Sequence, residues 1–210
     1  YTNLIFEGEM IVSDCCSSGL AYSTVDDGSE LSCDFIPETK DELQTAVNLW
    51  ESDNAAALSE YGEINSWDVS LITDMSELFM EKTDFNSDIS SWDVSNVLNM
   101  AGMFFSAGSF SGNISNWNVS SVTNMSNMFR DAQSFNSDIS SWNVANVTQM
   151  SGMFEAAFIF NQDLANWNVS SVTGMNATFA HAINFNGNIS DWDVSNVITM
   201  VNMMRGTNFN

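Results

Sequence analysis

The sequence predicts an α/β repeat solenoid: a right-handed coil with short parallel strands on one face and short helices on the other, closed on its N-terminal side by a helical cap. Three observations carry the prediction. Tryptophan recurs at Trp67, Trp92, Trp117, Trp142, Trp167 and Trp192, 25 residues apart each time. Within each unit the apolar spacing switches from two residues to three or four. Ahead of the repeats stands a segment with a helix-start signal and no repeat register. Periods of about 20 to 50 residues mark units that bury a core only by stacking on one another. The chain therefore divides into a cysteine-bearing leader (1–37), a helical cap (38–61) and six repeats (62–210), the last incomplete.

The leader opens with Leu4, Ile5, Phe6, Met10, Ile11 and Val12 and passes into a Ser/Gly/Asp-rich stretch. All three cysteines lie here, which suggests one disulfide, between Cys33 and either Cys15 or Cys16, and an oxidising compartment. One thiol is left over. Structural zinc takes four ligands, and no histidine is near, so no metal site is read here. In the cap, Thr39 followed by Glu42 fits a capping box just after Pro37. Leu43, Ala46, Val47 and Trp50 share one helical face. A second helical piece, Ala55 to Tyr61, stops at Gly62.

In the repeat, Trp117 and Val119 stand two apart, as on one face of a short strand. Val122, Met125, Met128, Phe129 and Ala132 then step by three or four, as on the buried face of a short helix or 3₁₀ segment. The return through Phe135 and Asn136 reads as a loop. The spacing of Ile114, Trp117, Val119 and Val122 is leucine-rich-repeat-like, with Val122 in the slot usually given to Asn. A β-helix without helices is the alternative. At the far end, residues 201–210 bring no cap-like sequence, so a cover from further chain or a neighbouring subunit is expected.

The string W-[DN]-V-S-x-V-T-x-M-S-x-M-F-x-x-A-x-x-F-N-x-[DN]-I-S, repeated over residues 62–210, closely resembles the BspA-like leucine-rich-repeat surface proteins. The resemblance implies a solenoid fold and roles in adhesion and surface display. The chain departs from the pattern at Lys82, at Thr178 and at Phe209, which comes one residue early.

Stacked repeats turn each polar position into a ladder. The residue after each tryptophan (Asp68, Asp93, Asn118, Asn143, Asn168, Asp193) and the one before it (Ser66, Ser91, Asn116, Ser141, Asn166, Asp191) form an outward Ser/Asx strip. This strip is the candidate binding face, for protein or glycan. A second ladder, Asp88, Asn113, Asp138, Asp163 and Asn188, has oxygen-ligand chemistry suited to Ca²⁺. Asn and Asp at turns more often bond nearby backbone, so at most weak Ca²⁺ binding is expected, and no cofactor. Seven N-x-S/T sequons occur, at Asn113, Asn118, Asn124, Asn146, Asn168, Asn176 and Asn188. Of these, Asn124, Asn146 and Asn176, off the predicted sheet, are the candidate glycan acceptors.

Charge narrows the function classes. Asp and Glu number 27 against 4 Lys and Arg, a net charge of −23. Nucleic-acid and anionic-lipid binding both need clustered cations, so both are excluded. No apolar run approaches the roughly 18 residues of a membrane span. A single histidine, His181, and the absence of a pocket-forming insertion argue against an enzyme. The expectation is a non-enzymatic extracellular or cell-surface protein: an adhesion or protein-binding module, or a structural subunit that self-associates head to tail. The alternative is a glycan-binding or glycan-active protein using the Ser/Asx strip.

Overall fold

The computed structural model describes residues 34–210 and, ahead of them, three short strands. Strands β1 (Leu4–Phe6) and β2 (Glu9–Ile11) pair antiparallel, Leu4 opposite Ile11. Strand β3 (Leu20–Ala21) pairs with β4 (Asp34–Phe35). Cys15, Cys16 and Cys33, and the disulfide expected among them, lie outside the described residues.

Helices α1 (Lys40–Ser52) and α2 (Asn54–Tyr61) follow. Thr39 starts α1: its hydroxyl accepts the Glu42 amide, and the Glu42 carboxylate accepts the Thr39 amide. Leu43, Ala46, Val47 and Trp50 are buried on the face that meets the first coil. Asp53 ends α1 and caps α2, accepting the Ala56 amide. Trp50, Tyr61 and Phe35 gather round Trp67, with ring centroids 5.9, 6.0 and 5.2 Å from it. Lys82, where the repeat calls for a small residue, donates to Asn48 Oδ1 of α1 at 2.9 Å. That departure belongs to the cap contact.

Six coils stack behind the cap, but they are not the predicted strand-and-helix coils. Among the described residues the repeats contain neither an α-helix nor a sheet, so the strand-bearing leucine-rich-repeat solenoid is overturned. Parallel pairing is reduced to one isolated bridge per junction, from Asp74↔Asn99 to Gly174↔Thr199. The predicted strand at Trp117–Val119 keeps its in-out alternation, with Trp117 and Val119 buried and Asn118 exposed. It forms no ladder: the Trp117 amide turns back onto the Ile114 carbonyl at 3.2 Å, and the residues that follow close local turns. Asn118 Oδ1 accepts the Ser120 amide, and the Val122 amide donates to the Val119 carbonyl.

The predicted helix fails for a related reason. Each coil holds two residues with positive φ four positions apart: Glu77 and Glu81, Asn127 and Asp131, Ala177 and His181. In the second, fourth and sixth coils glycine takes one of the two places, as Gly102, Gly152 and Gly206. An α-helix needs right-handed φ at every residue. Here alternate amides serve different partners. Those of Leu78, Met80 and Lys82 close turns onto residues three back. Those of Met75, Glu77, Phe79 and Glu81 donate forward to Asn99, Ala101, Met103 and Phe105 of the next coil. This four-bond row repeats at all five junctions, with distances of 2.6–3.0 Å.

The core is a set of side-chain columns. Phe79, Phe104, Phe129, Phe154 and Phe179 stack at 5.3–5.7 Å. Beside them Phe85, Phe110, Phe135, Phe160, Phe185 and Phe209 stack at 5.9–6.0 Å. Offset stacking adds a directional preference to the burial. Each indole is pinned as well: Trp92, Trp117, Trp142, Trp167 and Trp192 donate Nε1–H to a carbonyl 28 residues back, at 2.7–3.2 Å. Thr178, a polar residue at a core position, donates its hydroxyl to the Met175 carbonyl at 2.9 Å.

Candidate functional site

All twelve residues of the Ser/Asx strip are exposed, six before and six after the buried tryptophans. They line one side of the stack because each coil repeats the same turn. The residue after tryptophan is fixed by its own backbone. Asp68, Asp93, Asn118, Asn143, Asn168 and Asp193 each accept, through Oδ1, the amide two residues on, at 3.0–3.2 Å. With Oδ1 held inward, the Nδ2 groups of Asn118, Asn143 and Asn168 are presented as donors in the middle of the strip. Asp68 and Asp93 make one end acidic, and Asp191 and Asp193 the other. Hydrogen bonding from Ser95 holds the Asp93 carboxyl below the usual carboxylate range, and Ser195 does the same for Asp193. In the file before tryptophan two residues are tied across coils: Ser91 donates its amide to Asn65 Oδ1, and Ser141 its hydroxyl to the Ser115 carbonyl.

The second ladder has the same architecture. Asp88, Asn113, Asp138, Asp163 and Asn188 each accept the amide two residues on, at 2.9–3.1 Å. One oxygen of each is thereby committed to the turn. Among the described residues no three His, Cys, Asp or Glu side chains gather in a cation site.

The sequons separate by environment. Asn146 spends its Nδ2 on the Ser120 carbonyl, and Asn176 accepts the Val201 amide and the Thr199 hydroxyl. Asn124 is half-buried in a bridge between coils. Asn113, Asn118, Asn168 and Asn188 are fully exposed. Among the described residues the repeats form no sheet, so position on or off a sheet does not separate the sequons.

Among the described residues, an open groove of about 380 Å³ lies at the cap beside Thr39, Glu42 and Tyr61, away from the strip. A groove of about 200 Å³ runs between Glu77, Gly102, Phe105, Asn127 and Arg130. Arg130 lies over the Phe105 ring at 5.5 Å and pairs with Glu155 at 3.4 Å. His181 is exposed in the left-handed region and is no part of the strip. Sequence reading also missed an inter-coil Asn ladder. Asn136, Asn161 and Asn186 each accept, through Oδ1, a backbone amide 24 or 25 residues further on. The recurrence of Asn at that phase was the available signal.

A stack of near-identical turns, each burying its apolar side against the next, defines a repeat protein. The family described as "Mycoplasma protein of unknown function, DUF285" matches residues 42–164 and 138–210, and the chain belongs to it. That family is associated with BspA-like surface repeat proteins. No curated protein and no solved structure matches the chain. No described helix is long and apolar enough to cross a membrane.

Proposed function

We propose that this chain is a non-enzymatic, extracellular or cell-surface repeat protein that serves as an adhesion or protein-binding module, or as a structural subunit of an extracellular assembly. One observation carries the reading: the exposed strip of Ser, Asn and Asp runs unbroken over six coils, and in the file after the tryptophans each Oδ1 is engaged by the protein's own backbone. The side-chain amides of Asn116, Asn118, Asn143, Asn166 and Asn168 stand exposed in the centre, on a scaffold ordered before any partner arrives. Such a row suits peptide carbonyls or glycan oxygens, and preorganisation lowers the entropy lost on binding. Membership of a family associated with BspA-like surface repeat proteins supports the same reading.

The test is binding of the purified chain to intact cells and to a glycan array, beside a variant carrying Asn116→Arg, Ser141→Arg and Asn166→Arg. These side chains are exposed and none holds an Asx turn, and the one inter-coil bond removed is the Ser141 hydroxyl to the Ser115 carbonyl at 3.3 Å, so the variant should melt within a few degrees of the parent and lose at least tenfold in binding. Equal binding by both proteins would dismiss the strip. Release of cleaved product from a bound glycan would dismiss the non-enzymatic reading.

A further inference from the structure

The coils copy one another at most phases, and the phase thirteen residues after tryptophan is where they do not. It holds Met80, Phe105, Arg130, Glu155, Ala180 and Arg205 in turn, directly beside the column that begins at Phe79. The order Phe105, Arg130, Glu155 on successive coils therefore occurs once in the stack. Where a repeated position builds the scaffold, an unrepeated one is free to carry a particular ligand.

Beside this column the surface is notched. Gly102 stands at a position of positive φ, between Glu77 and Asn127 of the coils on either side. With no side chain at Gly102, a gap one coil wide opens between those two residues. It is the groove of about 200 Å³ that Phe105, Ser126 and Arg130 also line. At Gly152 the corresponding gap is taken up, because Asn127 Oδ1 lies where a Cβ would stand. At Gly102 the nearest atom to such a Cβ is Glu77 Cγ, at 3.3 Å.

The groups around the notch have hydrogen-bonding capacity to spare. Arg130 pairs with Glu155 at 3.4 Å and with Asp131 at 3.8 Å, both longer than the about 2.7–2.9 Å of a charge-assisted hydrogen bond. Its buried Nε–H has no acceptor among the described residues. Among those residues the Glu77 carboxylate, the Ser126 hydroxyl and the Asn127 side-chain amide also make no hydrogen bond to a protein partner. Half-buried Phe105 adds apolar ring surface, with the guanidinium 5.5 Å from its centroid. Glu77 and Glu155 repel an anion and Arg130 repels a cation, so the ligand that fits is neutral. We propose that the notch at Gly102 is a second binding site, apart from the Ser/Asx strip, and takes one neutral sugar ring. A sugar donates and accepts at neighbouring hydroxyls, which matches a carboxylate facing a guanidinium and an amide across one gap, while its C–H face suits Phe105. The volume lies below the roughly 300–1,000 Å³ of sites for drug-sized ligands, which is room for one ring and not for a chain of them.

The experiment titrates the whole isotope-labelled chain with methyl β-glucoside, methyl β-galactoside and methyl α-mannoside, beside N-methylacetamide as a probe of peptide-like binding. At least one sugar should bind saturably with a Kd on the order of 1–10 mM, shifting the NMR signals of the Gly102 and Asn127 amides and of Arg130 Nε–H. Arg130→Met keeps an apolar stem against Phe105 and should melt within a few degrees of the parent, yet bind that sugar at least about tenfold more weakly. Glu77→Gln, at an exposed position, should weaken it at least about threefold. No saturable shift with any of the three sugars overturns the proposal, as do shifts that survive both substitutions. Shifts confined to the Ser/Asx strip overturn it too. So does N-methylacetamide moving the same signals as strongly as the sugars, which would make the notch a site for peptide. The substitutions at Asn116, Ser141 and Asn166 leave the notch intact, so either reading can fail without the other.

Discussion

The first and last coils share a motif and differ in what lies against them. Trp67 is surrounded by Trp50, Tyr61 and Phe35 and is 2% exposed. Its counterpart Trp192 packs only on the coil before it, at 6.3 Å from Trp167, and is 9% exposed. The contrast is sharper away from the indole, where Met75 is fully buried and Met200 is half-exposed. Identical residues thus gain burial from a neighbour, not from their own coil. An array of this kind is stabilised by its junctions.

The largest expected effect tests that idea in the middle of the stack. Trp117→Ala removes a buried indole and its bond to Ile89, and should cost about 3–5 kcal/mol in urea melts, while Trp192→Ala should cost clearly less. Equal losses would mean that coils are stabilised internally. Next, Met150→Ala should cost about 2–4 kcal/mol, whereas Met200→Ala should stay below about 1 kcal/mol. At the covered end, Thr39→Ala dissolves the capping box and should cost about 1 kcal/mol. Because the cap supports the first coil, near-ultraviolet circular dichroism from Trp50 and Trp67 should be lost together with helical signal. A variant that loses only the helical signal would detach cap from coil.

The smallest effect concerns charge on the strip. Asp93 and Asp193 hold their protons less readily in the folded chain than in the unfolded one, through hydrogen bonds from Ser95 and Ser195. The unfolded chain therefore takes up protons first on acidification. The stability these groups add is present above about pH 4 and is lost as pH falls through their lowered folded values. Asp93→Asn keeps the Asx turn, as Asn118 and Asn143 do, and should change stability at pH 7 by less than about 0.5 kcal/mol. It should also flatten the loss between pH 4 and pH 2. An unchanged acid limb would remove Asp93 from the titration.

Much of this was legible because a 25-residue repeat is read six times over. The tryptophan, methionine and phenylalanine series are buried in the coils where a neighbour covers them, and the Thr39–Glu42 box starts α1 where its spacing puts it. The outward phase of Asp68, Asn118 and their series is also a local matter, set by alternation around a buried indole. What misled was the inference from apolar spacing to backbone. A three-or-four step looks helical, yet Met125, Met128 and Phe129 reach the core through turns that pass twice into positive φ. Non-glycine residues such as Asn127 and Ala177 occupy that region at a cost of about 1–2 kcal/mol each, so no propensity announces it.

By itself, the sequence determined the length of a coil, which side chains turn inward, which turn outward, and where the cap begins, because period, polarity and capping chemistry are local. The tertiary structure alone decided how each coil's backbone is spent. Whether an amide closes its own turn or bonds the next coil depends on a carbonyl 24 residues away, and that carbonyl is in reach only once the coils have stacked.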